Sequence, residues 1–180
     1  GNNNLGVAGV NWQAKIMSLK FISGDYGYDD AAIVCIEYAI YEKIYHNVNV
    51  VAINASWGGP DYNQVMKDAI EDAGSAGILF CAAAGNDGVD NDLIPSYPAS
   101  FDLPNIIAVA ASDHNDQLAS WSNYGATSVD LAAPGESVLS TYPGCSGGED
   151  PVFFDDMESG SGSWTTGGTN NTWAISTEAY

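Results

Sequence analysis

The sequence predicts an α/β protein built on a doubly wound, mostly parallel sheet, and three observations predict it. Apolar runs of strand length recur at 49–55, 78–84 and 105–112, rich in Val, Ile and Ala. That is the composition of strands enclosed between layers rather than strands with one wet face. The stretches around the first of these runs carry apolar residues at helical rather than alternating spacing. Strand, helix, strand, helix, strand at such intervals implies right-handed crossovers and parallel pairing. The length of 180 residues suits one domain with a sizeable core.

Composition narrows the function before any motif is read. The chain is 46% hydrophobic and 11% aromatic, as a globular protein is. Its formal net charge is −19, and its only basic residues besides two histidines are Lys15, Lys20, Lys43 and Lys67. Such a surface repels phosphate backbones, which excludes nucleic acid as a partner. The acidity reads either as a solvated surface, common in secreted and salt-exposed proteins, or in part as carboxylates that hold calcium. No run is long and apolar enough to span a membrane, and no signal peptide is visible. The opening Gly1-Asn-Asn-Asn and the end at Tyr180 read as cuts from a longer chain. Cys35, Cys81 and Cys145 are odd in number and not closely paired, so they define no disulfide framework. Cys35 and Cys81 read as small core residues, and Cys145 as a thiol free to pair outside the segment.

Residues 1–9 form a Gly/Asn-rich loop, and Ile16–Ile22 reads as a first short strand. Asp29 is placed to cap a helix from about Asp30 to His46, with Ile33, Ile36, Ile40 and Ile44 along one face. Asn49–Ala55 is the next strand, closed by Ser56-Trp-Gly-Gly59. Pro60 stands near the start of a second helix whose stripe is Val65, Met66, Ala69, Ile70 and Ala73. Gly74 and Gly77 end that helix, and the strand from Ile78 follows at once. Asn105–Ser112 is a further strand, and Val129–Ala133 a short one stopped by Pro134-Gly135. After about Gly144 the texture changes. Cys145-Ser-Gly-Gly-Glu-Asp150 has linker composition, and 151–158 and 162–175 alternate apolar and polar residues as a β-sandwich does. The expected division is 1–148, an α/β core, and 149–180, the start of an inserted β-sandwich or jelly-roll-like module.

Ile78-Leu-Phe-Cys-Ala-Ala-Ala-Gly-Asn86-Asp-Gly88 is the stretch that reads as a site. A buried strand narrows to alanines and a glycine, leaving room against the backbone, and ends on a neutral amide able to donate a hydrogen bond. The carboxyl ends of strands in an open α/β sheet are where ligands bind. An asparagine in a tight turn before Asp-Gly is the plainer reading of the same residues.

Six stretches in register resemble the subtilisin-like serine proteases (subtilases, the S8 peptidase family). They are Gly6-Val-Ala-Gly-Val10, Ile53-Asn-Ala-Ser-Trp-Gly-Gly59 and Cys81-Ala-Ala-Ala-Gly-Asn86, then Tyr97-Pro-Ala-Ser100 with Ile106-Ile-Ala-Val109, Ala119-Ser-Trp-Ser-Asn-Tyr-Gly125, and Val129-Asp-Leu-Ala-Ala-Pro-Gly135. Together they cover roughly residues 1–144 in the family's order. The resemblance implies the three-layer subtilisin-like version of the fold and a secreted, monomeric serine endopeptidase that cleaves polypeptide substrates through an acyl-enzyme.

It gives Asn86 the role of oxyanion donor; loss of the corresponding asparagine in subtilisin costs about 10²–10³ in kcat. Ser56, Trp57 and Gly58 match the strand on which substrate backbone pairs, with glycine there to admit a second backbone. Trp57 reads as the wall of an apolar subsite or as a core tryptophan. Ala83, Ala84 and Gly85 match a wall of the primary specificity pocket, with room for a large apolar side chain. Asn3, with the carbonyls of Leu5 and Val7 and of Gly1, matches part of the family's calcium loop, where hard oxygens suit a hard cation. Asp87, Asp90, Asn91 and Asp92 lack a calcium-loop pattern and read as a solvated loop.

The family's catalytic aspartate and histidine belong upstream of Gly1, and its serine, in Gly-Thr-Ser-Met-Ala, should follow Tyr142-Pro-Gly144. His46, His114 and Ser146 lack the family's context. The 180 residues are therefore expected to be inactive alone, as an internal fragment of a subtilase interrupted by the β module. The alternative is a degenerate subtilase that holds peptides without cutting them. A nucleotide-binding α/β domain is disfavoured by the lack of a Gly-x-Gly-x-x-Gly turn or P-loop lysine.

Overall fold

Apolar strands of this kind bury their side chains only where helices cover them, and the arrangement of cover decides the architecture. In the computed structural model the described residues are 9–138, apart from 12, 24 and 25. The elements in order are β1 (Ile22–Ser23), β2 (Tyr26–Gly27), α1 (Asp29–Tyr45), β3 (Ala52–Ala55), α2 (Gln64–Ser75), β4 (Leu79–Ala83), β5 (Ile106–Ser112) and β6 (Leu131–Pro134). Strands β3, β4, β5 and β6 lie side by side in that order, every pair parallel. The α/β fold with a parallel sheet is the one expected. Residues 19–138 make up one compact unit. In the preceding stretch, Asn11 Oδ1 accepts from the N–H groups of Gln13 and Ala14, a local turn.

The core lies between one face of the sheet and the two helices. Ala32 and Ile36 of α1 and Met66, Ala69, Ile70 and Ala73 of α2 join Ala55, Phe80, Ala82, Ile106 and Ala108 in one buried cluster. Burial alternates along β4 and β5: Phe80 and Ala82 are enclosed, whereas Cys81, Ala83, Ile107 and Val109 are half-buried and Leu79 is exposed. Enclosure on both faces was expected. Among the described residues one face has it, because α1 and α2 pack into the same core.

Other boundaries moved for local reasons. Asp29 is the first helical residue of α1 rather than its cap; Tyr28 holds the cap position without a side-chain bond. Asp29 and Asp30 sit in the first turn, where the helix dipole favours negative charge. The innermost residues of α1 are Ala32, Ile36 and Ala39, and Ile44 in the last turn is exposed. Helix α2 begins at Gln64, not near Pro60, because Asn63 Oδ1 accepts from the N–H groups of Val65 (3.0 Å) and Met66 (3.2 Å). The Asn63 amide also donates to Asp29 Oδ2 at 2.9 Å, which ties the two helix starts together. Val65, one step round from Met66, faces outward. The Ile16–Ile22 run forms a strand only at Ile22–Ser23, in an antiparallel pair with Tyr26–Gly27. An apolar run becomes a strand where a neighbour completes its hydrogen bonds, and among the described residues β3 is bonded to β4 alone.

Two polar anchors close the crossovers. Lys43, a cation at the C-terminus of α1, donates from Nζ to Val50 O (2.6 Å) and Gly77 O (3.1 Å), the approaches to β3 and β4. Asn105 is buried and donates to Ile70 O (2.9 Å) and Ile78 O (3.3 Å), joining α2 to the start of β4. Gly74 is where this fits, since a Cβ there would lie 2.6 Å from the Asn105 side chain.

Candidate functional site

The parallel register is what assembles the site. Ala55 of β3 stands opposite Ala82 of β4, so the chain leaves both strands at the same carboxyl edge. Ser56, Trp57 and Gly58 therefore emerge at the same edge of the sheet as Ala83, Ala84 and Gly85. Asn86 follows directly. The structure brings together all the described residues that the sequence marked for the site.

Each has a distinct setting. Ser56 and Gly58 are exposed, and Ser56 Oγ accepts from Asn54 Nδ2 at 3.0 Å. Trp57 is half-buried against the core; its ring meets Phe21 edge-on at 5.2 Å and Phe80 at 6.5 Å. Gly58 has an intramolecular reason to be glycine, because a Cβ would lie 2.9 Å from the Tyr97 carbonyl. Gly59 and Tyr97 exchange backbone hydrogen bonds at 2.8 Å each way. Beyond β4, Ala84 is buried and its N–H donates to Val109 O at 2.9 Å, extending the ladder one residue past the strand. Gly85 then turns the chain at φ +121°, a conformation that favours glycine. Asn86, Asp87 and Gly88 are exposed. Among the described residues the Asn86 side chain has no hydrogen-bond partner, so its amide is free to donate at the sheet edge.

Two asparagines that the sequence did not single out hold this turn. Asn91 and Asn123 are 2% and 1% exposed. Asn91 Nδ2 donates to Ala84 O (2.8 Å), and Asn123 Nδ2 donates to Asn91 Oδ1 (3.0 Å). Asn123 Oδ1 accepts from the N–H groups of Asp87 (2.8 Å) and Val89 (3.3 Å), and its own N–H donates to Gly85 O (2.9 Å). The sequence groups Asn91 with its acidic neighbours as a solvated loop; it is instead a buried strut. A polar side chain can be buried there because the turn supplies the partners.

Asp92 departs from that reading too. Its carboxylate accepts from the N–H groups of Ala126 (2.8 Å), Thr127 (3.1 Å) and Ser128 (2.9 Å) and from the Thr127 hydroxyl (2.8 Å). The Ser128 side chain, the Thr127 side chain and these backbone donors hold its carboxyl at about 2, below the ordinary 3.8. The hydrogen bonds themselves come from the Thr127 hydroxyl and the N–H groups; Ser128 Oγ lies close by and acts on the carboxylate without a formed hydrogen bond among the described residues. Asp87 remains a turn carboxylate exposed to solvent. His46 and His114 are exposed, on the end of α1 and in the 113–117 turn. Asn3, Leu5 and Val7, the calcium loop of the resemblance, and the 149–180 module lie outside the described residues. Among the described residues no group of three or more His, Cys, Asp or Glu is placed to hold a metal ion.

A parallel α/β sheet with two loops at its carboxyl edge, one exposed at Ser56 and Gly58 and one ending in the exposed Asn86, has the arrangement in which open α/β folds bind ligands. Comparison with known proteins makes the class specific. Residues 1–174 match the model of the subtilase family, Peptidase S8, and the chain belongs to that family. It is 37% identical over 146 residues to Subtilisin-like protease 2 of Plasmodium falciparum (isolate 3D7), a match covering 78% of this chain and 10% of that one. It is 37% identical to Subtilisin BL of Lederbergia lenta, covering 79% and 49% respectively, and 38% identical to Subtilisin E of Bacillus subtilis (strain 168), covering 79% and 36%. Among solved structures, a cold-adapted subtilisin-like serine proteinase matches with a TM-score of 0.54 and 28% identity, over 64% of this chain and 38% of that one. The chain thus spans from a tenth to about half of the length of these relatives.

Proposed function

We propose that this chain supplies the substrate cleft and oxyanion donor of a secreted subtilisin-like serine endopeptidase. The triad Asp, His and Ser of that enzyme lie outside these 180 residues, so the segment alone does not cleave peptides. The observation that carries the reading is that exposed Ser56 and Gly58 share one sheet edge with an exposed Asn86 whose amide has no partner among the described residues. A peptide added along Ser56–Gly58 pairs its backbone there, as strands add to an open edge. Its scissile carbonyl then reaches the Asn86 amide, which donates to the oxygen as negative charge develops in the tetrahedral intermediate. Ala83, Ala84 and Gly85 leave space for a large apolar residue beside it, and Trp57 forms the base of the adjoining surface. A structural calcium is proposed at Asn3 with the Leu5, Val7 and Gly1 carbonyls, where oxygen donors match its preference. The 149–180 segment is proposed as the start of an inserted β module.

The test uses the full gene product that contains this segment, with its flanks sequenced first. Peptide hydrolysis blocked by a serine-directed reagent is expected, and Asn86→Ala lowers kcat by about 10²–10³ with little change in KM. A wild-type protein that binds peptides without cleaving them overturns the enzymatic reading and leaves the cleft as a peptide-binding site.

A further inference from the structure

We infer that Asn91 and Asn123 are positioning residues for Asn86, acting as one buried relay that fixes the direction of its free amide. The inference rests on the oxyanion role proposed above.

The residues either side of Asn86 are held by the same two asparagines, through both side chains and the Asn123 backbone. Before it, Ala84 O accepts from Asn91 and Gly85 O accepts from the Asn123 N–H. After it, the N–H groups of Asp87 and Val89 both donate to Asn123 Oδ1. The two amides are joined by the Asn123 Nδ2 to Asn91 Oδ1 bond, across 32 residues of sequence. Two more backbone bonds complete the grip: Gly88 N–H donates to Trp121 O (2.8 Å), and Tyr124 N–H to Val89 O (3.0 Å). Asn123 is itself fixed, because the neighbouring Ser122 Oγ accepts from the β5 residue Ala111 (2.8 Å) and donates to Asn123 O (3.0 Å). The turn around Asn86 is therefore referenced to β5 rather than left to its own loop.

Such an arrangement matters for an oxyanion donor more than for fold stability. A donor contributes only when it lies 2.7–3.1 Å from where the oxygen will be, and a displacement of about 1 Å costs on the order of 10²-fold. Asn86 stands on an exposed turn after a glycine at φ +121°, so its direction depends on what holds its neighbours. The contact at Gly85 shows how tightly the relay fits, since a Cβ there would lie 2.4 Å from Asn123 Nδ2.

The experiment compares Asn123→Ala and Asn91→Ser with wild type in the full gene product, alone and combined with Asn86→Ala. Either single variant is expected to lower kcat by about 10–100-fold with KM changed less than about twofold. In the Asn86→Ala background the same substitutions should cost less than about threefold, because the group they aim is gone. Equal losses in both backgrounds overturn the inference and make the asparagines structural only. So does failure of both variants to fold. Amide hydrogen exchange at Asp87 and Val89 separates this from the oxyanion reading. Faster exchange in Asn123→Ala is expected even from a parent that cleaves nothing, and unchanged exchange overturns the relay itself.

Discussion

Gly85→Ala tests the geometry of the turn most directly. The backbone there has φ +121°, which an L residue adopts only at a cost of roughly 1–3 kcal/mol. The added methyl would also lie 2.4 Å from Asn123 Nδ2 and 2.9 Å from its Cγ, well inside ordinary contact. Asn123 is 1% exposed and its other side is occupied by Asn91 and by the Asp87 and Val89 N–H groups. Moving it by about an ångström disturbs three hydrogen bonds, each worth on the order of 1 kcal/mol net. The two contributions give a destabilisation of about 4–6 kcal/mol, at the upper end for a single substitution. Urea denaturation of the full gene product, compared at equal slope, measures it. The double variant Gly85→Ala with Asn123→Ser removes the clash, so the methyl should then cost only the backbone part, about 1–3 kcal/mol. A loss below about 1 kcal/mol for Gly85→Ala alone would refute both the turn conformation and the packing of Asn123 against it.

Three further outcomes are expected. Phe80 is wholly buried between the sheet and the helices, so Phe80→Ala should lower unfolding free energy by about 3–5 kcal/mol; less than about 2 would mean β4 faces the other way. Asn105→Ala removes the bonds to Ile70 O and Ile78 O and should cost about 1–3 kcal/mol in the same assay, whereas a neutral result would separate α2 from the start of β4. Asp92 has a folded-state value of about 2 against an ordinary 3.8, so the folded form favours its ionised state. Its contribution is present in full above about pH 4 and is lost as pH falls from there through about 2. Stability curves against pH for wild type and Asp92→Asn should therefore converge over that interval, and parallel curves would show that the carboxylate does not clamp residues 126–128.

Much of the fold was legible in the chain because its signals are local. The runs at 78–84 and 105–112 and the stripe Met66, Ala69, Ile70, Ala73 show their class by composition and period alone. Residue order at 53–59 and 81–86 likewise placed Ser56–Gly58 and Ala83–Asn86 at strand ends, and parallel pairing brought them side by side. What the sequence could not give are the partners reached across long separations. Asn91 stands between two aspartates and looks like a solvated loop residue; only the fold carries it inward to Ala84 and Asn123. Gly58 by sequence reads as reserved for substrate, whereas the fold sets the Tyr97 carbonyl against it. Asp92 meets donors 34 to 36 residues away, which no local pattern records. Apolar burial follows from periodicity because every member of a face makes the same non-directional contribution. A buried amide or carboxylate depends on one donor or acceptor at one distance, and that exists only once the tertiary structure has brought the two loops together.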